Sequence, residues 1–248
     1  GFYMVSSALL DYPTGGLADR YGRGLVAALG CLFFGLGLLS YSLSTGLLQF
    51  LFSEFLAAVG SALYSGALLA WLVDSLKEEG RQRELADVLG KARILSLAVS
   101  AVGGFVGGLL AERRLEIPFV IGAAFCFTAF TVALLYTRGR GEAPRSGRVS
   151  YTMLLKRGAR VLLSTRPLIL LTLGSSLIVL AIPSFNLTWA PQMESLGASK
   201  WLLGAASSIF MVTAGLSSYG GGKLAKLLGY RRVAVASLAS ISAAFALL

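Results

Sequence analysis

The sequence predicts an all-α fold: a polytopic membrane helical bundle in two pseudo-symmetric halves. Three observations predict it. The chain is too apolar to face water on all sides. Its apolar runs reach the length of a membrane crossing. One charged, glycine-rich segment recurs near the far end. Of 248 residues, 56% are hydrophobic and 14% charged, against about 25% charged in a soluble domain. Mean hydropathy is +0.75. A spanning helix needs about 20 mostly apolar residues.

Apolar runs and breakers place the elements in order. Residues 1–12 form a short apolar piece. Spans follow near 25–44, 47–73, 88–111 and 117–137. A polar stretch, 138–166, precedes spans near 167–190 and 200–221, and 233–248 is a last apolar piece. Both end pieces are shorter than a crossing at 1.5 Å per residue. The chain starts at Gly1, so a fragment with cut first and last helices is expected. A signal peptide fits the opening poorly, because no basic n-region or clear cleavage site is present.

The net charge of +10 would suggest nucleic acid in a soluble protein. Its placement says otherwise. With the segment around Arg20 and Arg23 set on the cytoplasmic side, nineteen of the 22 lysines and arginines fall on that side. Arg113, Arg114 and Lys200 fall on the other. This is a positive-inside pattern, with anionic-lipid attraction as a secondary effect. Expected partners are therefore the lipid bilayer and a small molecule, and not nucleic acid. The location expected is the cell inner (plasma) membrane. The basic stretch 138–166 reads as a cytoplasmic linker between bundles at 1–137 and 167–248, with an amphipathic surface helix from about Tyr151.

The chain has no histidine, which removes the commonest general base and metal ligand. No cofactor, metal site or enzymatic chemistry is expected. Cys31 and Cys126 lie inside apolar runs and read as small buried residues rather than a disulfide.

"GGLADRYGRG" at 15–24 and "GKLAKLLGYR" at 222–231 align at four positions. Gly15, Leu17, Ala18 and Gly22 match Gly222, Leu224, Ala225 and Gly229. Both copies precede a new span on the same side. Two similar helical halves joined by a linker are an arrangement of secondary transporters, with the substrate site at the midplane between halves.

"G-x-L-A-D-R-x-G-R", from Gly15 to Arg23, resembles the signature loop of the major facilitator superfamily, between its second and third helices. That signature usually ends in a second basic residue. Gly24 stands there instead, a departure that bears on the inner-surface contacts. "DYPTG" (11–15) resembles a lead-in common in bacterial members, and "SGALLAWLVDSL" (65–76) resembles the end of their fourth helix. The resemblance covers essentially the whole chain, as part of helix two to part of helix nine of twelve.

Glycines at 15, 16 and 22 suit a tight reversal and close helix approach. The resemblance implies an inner-gate latch. The family's loop aspartate contacts a helix start in the other half, near its positive dipole end, and its second arginine bridges to an acid at the inner end of helix four. Those roles map to Asp19, Arg23 and Asp74, with Gly15, Arg20 and Gly22 in the same segment. Ordinary interfacial charges in a short loop are the plain alternative. With helix eleven outside this chain, the latch is not expected to close here as it does in the family.

Acids within a membrane cost roughly 2.5–3.5 kcal/mol on insertion scales and usually face a cavity. Glu54 lies roughly 10 Å from the outer end of its span. Many members of the superfamily have an arginine there, so the charge is reversed. Asp11 lies near the inner end of its helix, before Pro13. Either acid is a candidate proton carrier; a structural hydrogen bond for Glu54 and an interfacial helix end for Asp11 are the alternatives. Glu54 and Asp74 are about 30 Å apart along one helix and cannot share a site. "AVGGFVGGLL" (101–110) resembles the family's antiporter motif through Gly103, Gly107 and Gly108, with Gly104 where proline is expected; small-residue packing explains it equally. Near the outer end of the next bundle's first helix, "IPSFNLTWAPQM" (182–193) offers Asn186 and Trp189 as substrate contacts, with an interfacial aromatic belt as the alternative. The sequon at Asn186 lies at the membrane and is not expected to be used.

The function expected from the resemblance is a secondary active transporter working by alternating access, in proton-coupled efflux of a small molecule. A facilitator or importer of a polar solute, and a non-transporting sensor or scaffold, are the alternatives.

Overall fold

The computed structural model describes residues 1–137 and 188–246, with a few positions between 160 and 170. All regular structure among the described residues is helical. The long helices among the described residues are α1 (Phe2–Tyr21), α2 (Arg23–Leu43), α3 (Leu47–Glu78), α4 (Leu85–Arg113), α5 (Ile117–Thr137), α6 (Lys200–Leu228) and α7 (Tyr230–Ala246). A helix satisfies its own backbone groups where lipid cannot, so apolar runs of this length fold this way. Among the described residues, four helical stretches are long and apolar enough to cross a membrane: Arg23–Leu43, Leu47–Glu78, Gln82–Arg113 (α4 with the single 3-10 turn before it) and Ile117–Thr137. The chain is thus a multi-pass membrane protein. Its helices outrun the apolar limits read from sequence. α3 continues beyond 73 to Glu78, because polar residues extend a helix into the interface without losing its hydrogen bonds.

The glycine-rich segment after Asp11 differs from expectation. It is not a loop. α1 runs through Pro13, Gly15 and Gly16 to Tyr21, and one residue makes the reversal. Gly22 takes φ +97°, which an L side chain resists. Its N–H still bonds Ala18 O at 3.1 Å, and its own carbonyl accepts from Val26 N–H at 3.1 Å. A single left-handed position reverses the chain while the preceding glycines keep their helical bonds.

The first compact unit holds Gly1–Leu85 and Leu110–Ser199. α2 is its centre, antiparallel to α3 and α5. Small residues let the α2 and α3 backbones touch. A Cβ on Gly30 would meet Tyr64 N at 2.7 Å, one on Gly37 would meet Ala57 N at 2.7 Å, and one on Gly60 would run into Phe34 N. Farther along this seam, fully buried Ser53 donates to Ser40 Oγ at 2.7 Å. On the other side of α2, Gly35 faces Phe127 and Cys126, and Tyr41 stacks on Phe119 with centroids 5.5 Å apart and planes 18° from parallel. Cys31 and Cys126 are half-buried free thiols. α1 runs parallel to α3, with Thr14 Oγ1 donating to Ala62 O at 3.0 Å. At the turn after α3, Arg81 pairs with Glu84 at 2.7 Å and Glu79 at 3.2 Å. These carboxylates, Glu84 first, hold its guanidinium above the ordinary arginine range.

The second unit holds Ala86–Leu109 and Lys200–Leu248. Within it α4 meets α6 through glycines. A Cβ on Gly108 would lie 2.8 Å from Lys200 O and 2.9 Å from Gly204 Cα. Ser208 Oγ donates to Ala101 O across this seam at 2.5 Å. α6 ends at Gly229, φ +88°, whose N–H bonds Ala225 O at 3.0 Å.

Candidate functional site

α1, α2 and α3 bring charged and polar side chains together at three levels. At the first, Arg23 begins α2 and Asp74 lies near the end of α3. Arg23 Nη1 is 2.6 Å from Asp74 Oδ2, with the side chains 27% and 22% exposed. The same nitrogen reaches Ala70 O at 3.4 Å. Each charge sits at the helix end whose dipole has its own sign: the arginine at an N-terminus, the aspartate near a C-terminus. The pair offsets both penalties.

Beside it, Gly24 has no room for a side chain. A Cβ would run into Thr137 Cγ2 and lie 3.2 Å from Trp71 Nε1. Gly24 stands where the family carries a second basic residue. That departure belongs to the close packing of α2 against α3 and α5 and leaves no space for a long cation.

Gly15, Asp19 and Arg20 lie on the last turns of α1 rather than in a loop. Arg20 is exposed, 5.5 Å above the Tyr21 ring. The Asp19 side chain is outside what is described.

At the second level, Ser65 Oγ donates to Asp11 Oδ1 at 3.2 Å, and Thr14 hydroxyl links Asp11 O and Ala62 O. Asp11 is exposed. At the third, the half-buried Glu54 receives the Tyr3 backbone N–H on Oε2 at 2.7 Å and the Tyr41 hydroxyl on Oε1. Tyr41 also packs on Phe119 and, with centroids 6.0 Å apart, on Phe50. Glu54 and Asp74 therefore have separate partners at different levels.

Sequence reasoning did not single out Tyr41 or Phe119. The available signal was a polar cluster, "SYSLST" (40–45), at the end of an apolar run. Pairing Tyr41 with Glu54 required the α2–α3 register.

On α4, Gly104 and Gly108 are the glycines against α6. Gly103 and Gly107 have nothing within 4 Å of a Cβ position. Trp189 is half-buried on a short helix over 188–195, and Asn186 lies outside the described residues. The sequence repeat is also a structural one. Ala18 and Ala225, aligned in sequence, are both buried and both accept the N–H of the aligned reversing glycine, Gly22 or Gly229.

The chain is 23% identical over 150 residues to Multidrug resistance protein 1 of Bacillus subtilis (strain 168), covering 59% of this chain and 37% of that protein. It is 28% identical over 130 residues to Multidrug resistance protein 2 of the same organism, covering 51% and 31%. The Methylenomycin A resistance protein of that organism is 28% identical over 137 residues, covering 52% and 28%. The matches thus span about a third of the length of these curated relatives. No solved structure matches significantly. The family model described as Major Facilitator Superfamily matches residues 1–248. With that match running the length of the sequence, the chain belongs to the Major Facilitator Superfamily.

Proposed function

We propose that the protein is a secondary active transporter that exports a small molecule across the inner membrane in exchange for protons, by alternating access. Two bundles, 1–137 and 167–248, rock about a central site, joined by a cytoplasmic linker over 138–166. The observation that carries this reading is the Arg23–Asp74 pair at 2.6 Å. It ties the start of one helix to the end of the next but one after the glycine reversal, on the face richest in lysine and arginine. With Gly15, Asp19, Arg20 and Gly22 it forms half of an inner-gate latch. The glycine seam of α4 and α6 is the rolling contact between bundles. Glu54 carries the proton, with Asp11 the second candidate, and Asn186 and Trp189 contribute to the substrate path. The names of the relatives, two multidrug resistance proteins and one antibiotic resistance protein, support export. Membership of a transporter family makes the chain no enzyme.

The test uses everted vesicles holding the full-length protein and an acid interior. Dye dequenching is recorded as a panel of small molecules is added. A compound that collapses the gradient in the parent but not in inserted Glu54→Gln supports the reading. A compound that is moved with no proton flux in the parent sinks proton coupling and leaves a facilitator or importer.

A further inference from the structure

We propose that Asp11, Ser65 and Thr14 form a proton-operated clasp between α1 and α3 at mid-membrane depth, with Ser65 the switching residue and Thr14 the pivot. The clasp rests on the reading of proton exchange for its use, and adds a motion inside the first bundle to the rocking of two bundles. The sequence alone sets Asp11 near the inner end of its helix. The structure places it deeper. α1 continues past Asp11 to Tyr21, and Asp11 lies against Ser65. Ser65 is within one turn of the midpoint of α3, the 32-residue span Leu47–Glu78. A carboxylate at that depth is costly and marks function.

The two hydroxyls respond differently to a proton on Asp11. The Ser65 hydroxyl has one hydrogen and two acceptors, Asp11 Oδ1 at 3.2 Å and Ala62 O in its own helix at 3.4 Å. A charged acceptor makes the stronger bond, so ionised Asp11 draws the hydroxyl across to α1. A neutral carboxyl group gives up that advantage, and Ser65 turns back to Ala62 O. The Thr14 hydroxyl chooses between two backbone carbonyls, Ala62 O at 3.0 Å and Asp11 O at 3.1 Å. Neither carbonyl titrates. Thr14 therefore keeps α1 on α3 in both states, and the part of α1 before it is free to swing once Ser65 lets go. The clasp is closed while Asp11 is charged and opens as pH falls.

No other charge dominates this level. α1 has no lysine, arginine or further acid within seven residues of Asp11; its neighbouring phenol is Tyr12. α3 brings the phenol of Tyr64, and α2, whose Gly30 meets the Tyr64 backbone, brings the thiol of Cys31. Among the described residues no lysine or arginine pairs with Asp11.

The test measures one distance in the full-length chain in proteoliposomes, with the native cysteines replaced by alanine. Spin labels are attached at Val5→Cys, on the swinging part of α1, and at Leu48→Cys, at the far end of α3; both positions are exposed. Across roughly pH 4 to pH 9 the parent distance should change by about 1–2 Å with a single midpoint. Asp11→Asn should hold the acid value at every pH. Ser65→Ala should abolish the step, and Ser65→Thr, which keeps the hydroxyl, should retain it. Glu54→Gln should leave the step intact. A parent distance that does not respond to pH overturns the clasp, and so does a step that survives in Asp11→Asn or in Ser65→Ala. Loss of the step in Glu54→Gln alone gives the switch to Glu54 and also overturns it. Transport without proton flux, in a parent that keeps the step, leaves the clasp standing and removes only proton exchange.

Discussion

Arg23 Nη1 lies 2.6 Å from Asp74 Oδ2, joining the first turn of α2 to the end of α3. Both groups are about a quarter exposed, so solvent screens the attraction and the pair contributes about 1 kcal/mol or less to stability. Its role lies in position. In a double-mutant cycle with Arg23→Gln and Asp74→Asn, thermal unfolding in detergent should give a coupling of about 0.5–1 kcal/mol. Transport should fall far more than stability does. Equal, small losses in both would mean an ordinary interfacial pair.

The two reversing glycines should behave alike. Gly22 and Gly229 take φ +97° and +88°. Alanine at either resists that conformation by about 1–2 kcal/mol. Unfolding midpoints of Gly22→Ala and Gly229→Ala should drop by similar amounts. An effect at one position only would contradict the structural repeat.

Glycines of the α2–α3 seam differ from exposed ones. A Cβ at Gly60 collides with the Phe34 backbone, while one at Gly66 meets nothing within 4 Å. Gly60→Ala should destabilise by about 1–3 kcal/mol. Gly66→Ala should stabilise by about 0.5–1 kcal/mol, since Gly66 sits within α3. A helix-propensity effect alone would make both stabilising, so the opposite signs are what thermal unfolding must show.

Gly24 offers a rescue experiment. Its added Cβ meets Thr137 Cγ2 most closely. Gly24→Ala should lower stability by about 1–3 kcal/mol. Thr137→Ser removes that methyl, so the double variant should recover much of the loss. Additive losses in melting temperature would show that the crowding lies elsewhere.

Ser208 reaches across the α4–α6 seam to Ala101 O at 2.5 Å. Such bonds in membranes are worth about 0.6 kcal/mol on average. Ser208→Ala should lower unfolding free energy by about that amount, and a Gly204→Val variant should cost more because Gly104 O and Gly108 Cα lie against that glycine. The reverse ranking would argue against backbone contact as the source of the seam.

The sequence alone determined the class of fold, for a reason of solvation. A chain with these apolar runs must bury its backbone in helices, and the lysines and arginines mark the ends of those runs. It also marked the two matching segments that end in Gly22 and Gly229, but it gave the first reversal to Gly15, Gly16 and Gly22 together, and the structure leaves it to Gly22 alone. The acids Asp11, Glu54 and Asp74 stood out because charge is rare in such segments. Tertiary structure decided what each acid meets. Tyr41 is thirteen residues from Glu54, and nothing in either local pattern links them. Their meeting depends on how far α2 slides along α3, which Gly30, Gly37 and Gly60 set by letting the backbones touch. It likewise decided that Gly15 and Gly16 stay helical, and that Gly104 and Gly108, not Gly103 and Gly107, face α6. Periodicity assigns residues to faces, but only packing decides which face finds a neighbour.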